Sequence, residues 1–291
     1  MKTLAVAPTV GGLLAEGARA LEGAGLPTAR QDAEWLLAQA LGIERFRLCL
    51  DPDRGVRALE AEEFRRLIER RRAREPLQYI LGFEEFRGLR LKTTPLALIP
   101  RPETELLVEW AIELDQTDGP WRVAVDVGAG GGAIACALAA AAPRLRVVAV
   151  ERSPGALALA AVNVGALGLR GRVSLVAGDL LEPLAGLAVG ADLVVSNPPY
   201  IPTAMLSQLP REVSDWEPRD ALDGGLDGMA VHRRLVARSP RALKPGGWLL
   251  MEMGEGQAEP LRECMEANGF ERIEARKDLR GVERMIGGKR G

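Results

Sequence analysis

Residues 123–139 read VAVDVGAGGGAIACALA. An apolar run reaches Asp126 and Val127, then Gly128, Gly130, Gly131 and Gly132 follow with only Ala129 between them, and an alanine-rich stretch continues. The pattern predicts a strand, a glycine turn and a helix. Glycines at such a turn let backbone approach a ligand where a side chain would collide with it. The spacing DxGxGxG differs from the dinucleotide fingerprint GxGxxG, and taken alone it also fits a plain tight strand-to-helix turn.

Outward from this stretch the pattern repeats. From Trp121 the chain alternates RVAVDV, a helix through Ala142, RVVAVE, a helix from Ser153, RVSLVAGD, ADLVVSN, a helix near Val231 to Leu243, GWLLMEM, a helix from Gln257, and a closing pair of strands near Ile273 and Met285. Such alternation predicts an α/β fold, a mostly parallel sheet covered by helices on both faces. Ligands of these sheets bind outside the carboxyl ends of the strands. Glu151 ends the second strand, 23 residues beyond Gly128, where an acid can accept hydrogen bonds from ribose hydroxyls. The third strand ends in GDL, so Asp179 can accept an adenine amino group and Leu180 can pack on its ring. Each acid alone is an ordinary strand-end residue; together they describe one crevice.

The fourth strand closes on Asn197, Pro198, Pro199 and Tyr200. Two prolines cannot continue a central strand, so the chain leaves the sheet at Asn197, on the same edge as the glycine turn. Asn197 offers a side-chain carbonyl, and Pro198 a backbone carbonyl that the following proline cannot engage. Two convergent acceptors fit the two hydrogens of a planar NH2 group, and Tyr200 can stack on it.

The remainder sets the organisation. Residues 1–76 have helical periodicity, with Leu13, Leu14 and Leu21 in one stripe, Thr28 and Gln31 in a capping box, Gly42 as a C-cap, and a third helix from Leu59 to Arg74. The run RRLIERRRARE in that helix reads as a solvated face, with a substrate-facing patch as the alternative. Residues 77–100 suggest a β-hairpin linker, and residues 101–291 a second domain that opens with the helix of IPRPETELLVEWAIEL. Lysine and arginine number 38 against 40 acids, a net charge of −2, so no basic excess draws the chain to nucleic acid. Three scattered cysteines and one histidine favour neither a disulfide framework nor a metal centre, and a reducing cytoplasm is the expected home. That histidine, His232, is expected on a helix surface. The longest apolar run, Ala133 to Ala142, is too short for a membrane span, and the N-terminus lacks the pattern of a secretion signal.

Combined, the DxGxGxG turn, the strand-end acid, GDL and NPPY resemble seven-stranded, Rossmann-like S-adenosylmethionine-dependent methyltransferases that modify planar nitrogens. The stretches RRRAREPLQYILGFEEFRGL, IPRPETELLVEWA, VVSNPPYIP, EVSDWEPRDALDGGLDG, LKPGGWLLMEMGEGQ and KDLRGVERMIGG resemble the PrmC/HemK family of release factor glutamine methyltransferases. The resemblance implies a small helical domain that docks a peptide chain release factor, and a catalytic domain that binds S-adenosyl-L-methionine. It implies cofactor contacts from Asp126, Gly128, Ala129, Gly130, Gly131, Gly132, Glu151, Asp179, Leu180 and Asn197. Asn197, Pro198, Pro199 and Tyr200 would grip the glutamine amide of the Gly-Gly-Gln loop, and Arg101, Glu103 and Glu105 would help form the pocket. Pro102 at a helix start with acids in the first turn explains that last segment equally well. The family more often carries hydroxyl residues at the positions of Ala129 and Gly131, and Asp at that of Glu151. No membrane and no direct nucleic-acid contact is expected.

Two other readings stay open on the residues themselves. An exocyclic amine of adenine or guanine presents the same planar NH2 to NPPY, so a nucleic-acid methyltransferase fits the motif, although base extrusion favours a basic face or an added module. A protein that binds the cofactor without catalysis is the third reading.

Overall fold

The computed structural model describes residues 7–186 and 190–291. The stretch read for a secretion signal therefore lies partly outside the described residues. The chain forms two compact units, Met1–Gly82 with Arg211–Trp216, and Phe83–Pro210 with Glu217–Gly291.

The first unit is a helical bundle of Val10–Gly23, Ala29–Leu41, Ala58–Arg72 and the short Leu77–Leu81. Its core joins Leu13, Leu21, Leu36, Leu37, Phe64 and Ile68. Gly17 lets the first and third helices touch, because a Cβ there would lie 2.5 Å from the Phe64 ring. Gly42 closes the second helix in the left-handed conformation at φ 63°, whereas Thr28 makes no capping bond through its side chain. The third helix is capped instead by Glu60, whose carboxylate accepts from the Arg57 N–H at 3.1 Å.

The basic run divides by helical phase. Arg66 and Arg72 face solvent and pair with Glu63 and Glu69. Arg71 departs from the expected solvated face: it follows Phe64, Leu67 and Ile68 on the buried stripe. There its Nε donates to Asp32 at 2.7 Å, and its Nη1 donates to the Glu75 carbonyl at 3.1 Å and to Glu212 at 3.3 Å. A guanidinium tolerates this burial only because its donors are met.

The second unit begins with the hairpin β1 (Phe83–Phe86) and β2 (Leu89–Lys92). Where the sequence suggested a hairpin linker from residue 77, the chain is first helical, and the hairpin then packs into this unit by burying Phe86 and Leu91 in its core. The helix Pro102–Asp118 leads to β3 (Val123–Val127), β4 (Arg146–Glu151), β5 (Val173–Ala177), β6 (Ala191–Ser196), β7 (Leu243–Glu252), β8 (Phe270–Lys277) and β9 (Glu283–Arg290). These last seven strands form one sheet in the order β5-β4-β3-β6-β7-β9-β8. β3 to β7 run parallel, and β9 is antiparallel to both its neighbours. The chain lays down β4 and β5 on one side of β3 and returns to place β6 on the other, so β3 and β6 flank the topological switch point. Ser196 Oγ donates to the Val127 carbonyl at 2.7 Å and holds these two strand ends level.

One sheet face packs on Trp110, Leu138 and Leu145, the other on Leu235, Val236 and Leu261. The helix Ala230–Ala242 also buries His232, with 0% exposure, contrary to its expected place on the surface. The reason is phase: His232, Leu235, Val236 and Ser239 form one stripe at helical spacing. Its Nε2 lies 2.9 Å from the Glu252 carbonyl, and burial lowers its pKa, so the ring is neutral and donates through Nε2. Among the described residues no helix is long and apolar enough to cross a membrane, and no cluster of metal-binding side chains occurs.

Replacing Asp32 by Ala leaves the buried Arg71 guanidinium short of its nearest carboxylate. Asp32→Ala should destabilise the helical unit by about 3 kcal/mol, read as a lower urea midpoint, whereas Glu63→Ala on the solvent face should change it by under about 1 kcal/mol.

Candidate active site

The glycine turn after β3 leaves the strand with Gly128 at φ 71° and Gly130 at φ 54°, conformations that favour glycine. The N–H groups of Gly128 and Ala129 both donate to the Val150 carbonyl of β4, at 2.9 and 3.0 Å. Glu151, at the end of β4, accepts from Gly130 N–H through Oε2 at 2.8 Å and from Ser153 N–H through Oε1 at 2.7 Å. Each oxygen keeps a further acceptor site for a ligand hydroxyl. Asn163 braces the turn from behind: its Nδ2 donates to the Gly131 carbonyl at 2.9 Å, and its Oδ1 accepts from Lys92 N–H at 2.8 Å.

A crevice of about 940 Å3 runs along this edge. Gly128 to Gly131, Glu151, Asp179 and Leu180 line one part; Asn197, Pro199 and Thr104 line another. Leu180 is held in the left-handed region at φ 51°, a strain of about 1 kcal/mol. Gly178 before it has no room for a Cβ, which would lie 1.9 Å from Pro183. Asp179 is salt-bridged to Arg234 at 2.5 Å through Oδ2, and among the described residues its other oxygen accepts no hydrogen bond.

Asp126 is not at the crevice, contrary to the expectation that it contacts the cofactor. It is fully buried, and its Oδ2 accepts from Ala135 N–H at 3.0 Å, satisfying a free donor in the first turn of the helix Ala133–Ala141. Burial, with a smaller contribution from the Glu151 charge, pushes its pKa up to about 7. Gly132 likewise serves packing: it caps that helix at φ 84°, and a Cβ there would press on Ala160 at 3.3 Å.

The other part of the crevice centres on Asn197. Its Nδ2 donates to Thr104 Oγ1 at 3.0 Å, Thr104 Oγ1 donates to Glu252 Oε2 at 2.6 Å, and Tyr200 Oη donates to Glu252 Oε1 at 3.2 Å. Glu252 is 1% exposed, and burial pushes its pKa up to about 7 against the opposing pull of Thr104, Tyr200 and Arg284. Burial also raises the pKa of the Tyr200 hydroxyl. Among the described residues, Asn197 Oδ1 and the Pro198 carbonyl accept no hydrogen bond, but of the four NPPY residues only Asn197 and Pro199 line the crevice: Pro198 is buried, and Tyr200 is turned to Glu252 through its hydroxyl. The turn is pinned by Gln257, whose Nε2 donates to the Tyr200 carbonyl at 3.0 Å while its Oε1 accepts from Gly254 N–H at 2.8 Å.

In the RPETE segment the residue that reaches the crevice is Thr104, which lies between the two acids singled out in the sequence. Arg101 instead pairs with the buried Glu217 at 2.6 Å. Glu105 accepts from Arg87 N–H at 3.0 Å and secures the hairpin turn, and Glu103 acts on Glu252 through its charge. The sequence motifs single out neither Thr104 nor Glu252. The available signal was an acid, Glu252, inside the apolar strand LLMEM, where a charge persists only with partners.

A carboxyl whose pKa is higher folded than unfolded contributes stability at acid pH, and loses it as the pH rises from the ordinary 3.8 through about 7. Asp126→Asn keeps an acceptor for Ala135 without the charge. The variant should gain on the wild type by roughly 2 kcal/mol between pH 5 and pH 8, measured as the difference in unfolding free energy at each pH. A pH-independent difference would contradict this placement.

Two family domains match the chain: the PrmC N-terminal domain over residues 12–82 and the Methyltransferase small domain over residues 103–208. The release factor glutamine methyltransferase of Geobacter sulfurreducens is 47% identical over 268 residues, covering 92% of each chain. That of Moorella thermoacetica is 42% identical, covering 90% of this chain and 91% of its own. Among solved structures, the catalytic domain of hMettl16 in complex with an MAT2A 3'UTR hairpin shares the fold at a TM-score of 0.58 and 18% identity, over 75% of this chain and 79% of that one. With a seven-stranded sheet that carries a glycine turn and NPPY on one edge, the chain belongs to the release factor glutamine methyltransferase family.

Proposed function

We infer that this protein transfers a methyl group from S-adenosyl-L-methionine to the side-chain amide nitrogen of the glutamine in the Gly-Gly-Gln loop of peptide chain release factors. The observation that carries the reading is the pair of unengaged acceptors, Asn197 Oδ1 and the Pro198 carbonyl, in the turn that closes β6 beside the glycine turn of β3. Family membership supports the substrate.

The residues of the crevice suit the cofactor. Gly128 lines it with left-handed backbone, and a Cβ there would meet no protein atom within 4 Å, so the space belongs to the crevice. Glu151 retains acceptor sites for a ribose diol, and the apolar Leu180 lies beside Asp179 where an adenine ring and its amino group would sit. When bound, the cofactor would supply an electrophilic methyl, its sulfur keeping the bonding pair as the amide nitrogen takes the methyl and gives up one proton to water.

An amide nitrogen is a weak nucleophile because its lone pair is delocalised into the carbonyl. Asn197 and Pro198 act on it by orientation: two acceptors take its two hydrogens, fix its plane and favour the positive charge that grows on nitrogen during transfer. Neither group is a base, and proton loss follows methyl transfer. The helical unit docks the release factor. The enzyme acts in the cytoplasm on protein without direct contact to nucleic acid, in keeping with its net charge of −2 and its three free thiols.

Labelled S-adenosylmethionine should mark a purified release factor and leave unmarked a version whose Gly-Gly-Gln glutamine is replaced by alanine. Asn197→Ala should lower turnover by about 100-fold with a far smaller change in cofactor affinity. Equal label on both release factors, or transfer to RNA or DNA in their place, would overturn the reading.

A further inference from the structure

We propose that Thr104 and Glu252 are positioning residues that set which end of the Asn197 side-chain amide meets the substrate. The inference rests on the proposed function, in which the substrate group is itself an NH2.

The two ends of an asparagine amide are alike in shape and opposite in chemistry: one accepts, the other donates. A substrate amide NH2 needs the accepting end, and an asparagine turned the other way would set donor against donor. The choice is made behind the crevice. Thr104 has one hydroxyl hydrogen, and Glu252 takes it at 2.6 Å, because an ionised carboxylate only accepts. Thr104 then has only lone pairs left for Asn197, which must turn its Nδ2 to the hydroxyl, at 3.0 Å. Oδ1 is thereby left free of any protein donor among the described residues. The chain of hydrogen bonds has a direction, and the carboxylate imposes it.

If Glu252 donates to Thr104, the direction reverses. The hydroxyl hydrogen is released toward Asn197, draws in the amide oxygen, and leaves the NH2 end for the substrate. Several groups bear on which state Glu252 adopts. Tyr200, on the turn after β6, donates to Oε1 at 3.2 Å. Arg284 of β9 favours the charged form, and Glu103 of the helix Pro102–Asp118 opposes it. Arg101 acts on the Tyr200 hydroxyl through its charge, and His232 of the helix Ala230–Ala242 engages the Glu252 backbone carbonyl, leaving the carboxylate to Thr104 and Tyr200. Burial brings the Glu252 pKa up to about 7, so the reversal falls within the range in which the enzyme can be assayed. The sign follows: the productive direction holds above about 7 and is lost as the pH falls.

The test is steady-state methylation of a release factor by the wild type, Thr104→Val, Thr104→Ser and Glu252→Gln from pH 6 to pH 9, with cofactor binding by calorimetry and thermal unfolding alongside. Thr104→Val keeps the shape and removes the relay, and should lower kcat by about 10- to 100-fold, with cofactor Kd and release factor KM within about threefold. Thr104→Ser restores the hydroxyl and should recover most of the rate. Glu252→Gln can donate to Thr104, so it should lose rate as Thr104→Val does and also lose the acid-side fall of kcat shown by the wild type. The double variant should be no worse than either single one, since both break the same chain. Turnover by Thr104→Val at the wild-type rate, equal losses in Thr104→Val and Thr104→Ser, or losses matched by weaker cofactor binding would each overturn the inference. Should Glu252→Gln not fold, the Val and Ser pair decides alone. A wild type that leaves the release factor glutamine unmodified would overturn the proposed function and this inference together; an active wild type with an equally active Thr104→Val overturns the inference alone.

Discussion

A carboxylate held out of water at the end of a parallel strand must be met by donors, and the demands of Glu252 organise the part of the crevice around Asn197. Its side chain draws Thr104 from the helix Pro102–Asp118 and Tyr200 from the turn after β6, and its backbone carbonyl draws His232 from the helix Ala230–Ala242. Elements distant in the chain are thus fixed to one another through one residue of β7. Leaving any of these groups unmatched in the interior would cost on the order of 1–3 kcal/mol, so the arrangement is retained as a set.

The sheet does the rest of the positioning. Parallel strands deliver their carboxyl ends to one edge, and reversing the strand order between β3 and β6 opens that edge where the glycine turn and the NPPY turn are neighbours. Ser196 ties the two strand ends together, while Asn163 and Glu151 hold the glycine turn by its own backbone. Much of the crevice is therefore preformed, with backbone donors committed to neighbouring strands and acceptors left over for ligands. That asymmetry suits a cofactor and an amide that both bring hydrogens to be bound.

Strand alternation, the glycine turn, the strand-end Glu151 and the prolines after Asn197 were legible in the sequence because each is a local pattern with a local cause. What sequence reading missed depends on faces meeting across the fold. Thr104 and Glu252 are separated by 148 residues, and nothing near either one announces the other. Asp126 lies next to the glycine turn in sequence, yet strand alternation turns it inward to the following helix. The charge of Arg71 and the polarity of His232 point to solvent, yet each continues an apolar stripe at helical spacing. Phase was the better guide in both cases, and partners at Asp32 and at the Glu252 carbonyl make the burial tolerable.

The most direct test of this account is a crystal structure of the enzyme with S-adenosylhomocysteine and a release factor bearing an intact Gly-Gly-Gln loop. The account predicts the glutamine Nε2 within about 3 Å of both Asn197 Oδ1 and the Pro198 carbonyl, with Thr104 still bridging Asn197 to Glu252. A glutamine amide seated elsewhere in the crevice, or an Asn197 whose oxygen faces Thr104, would contradict it.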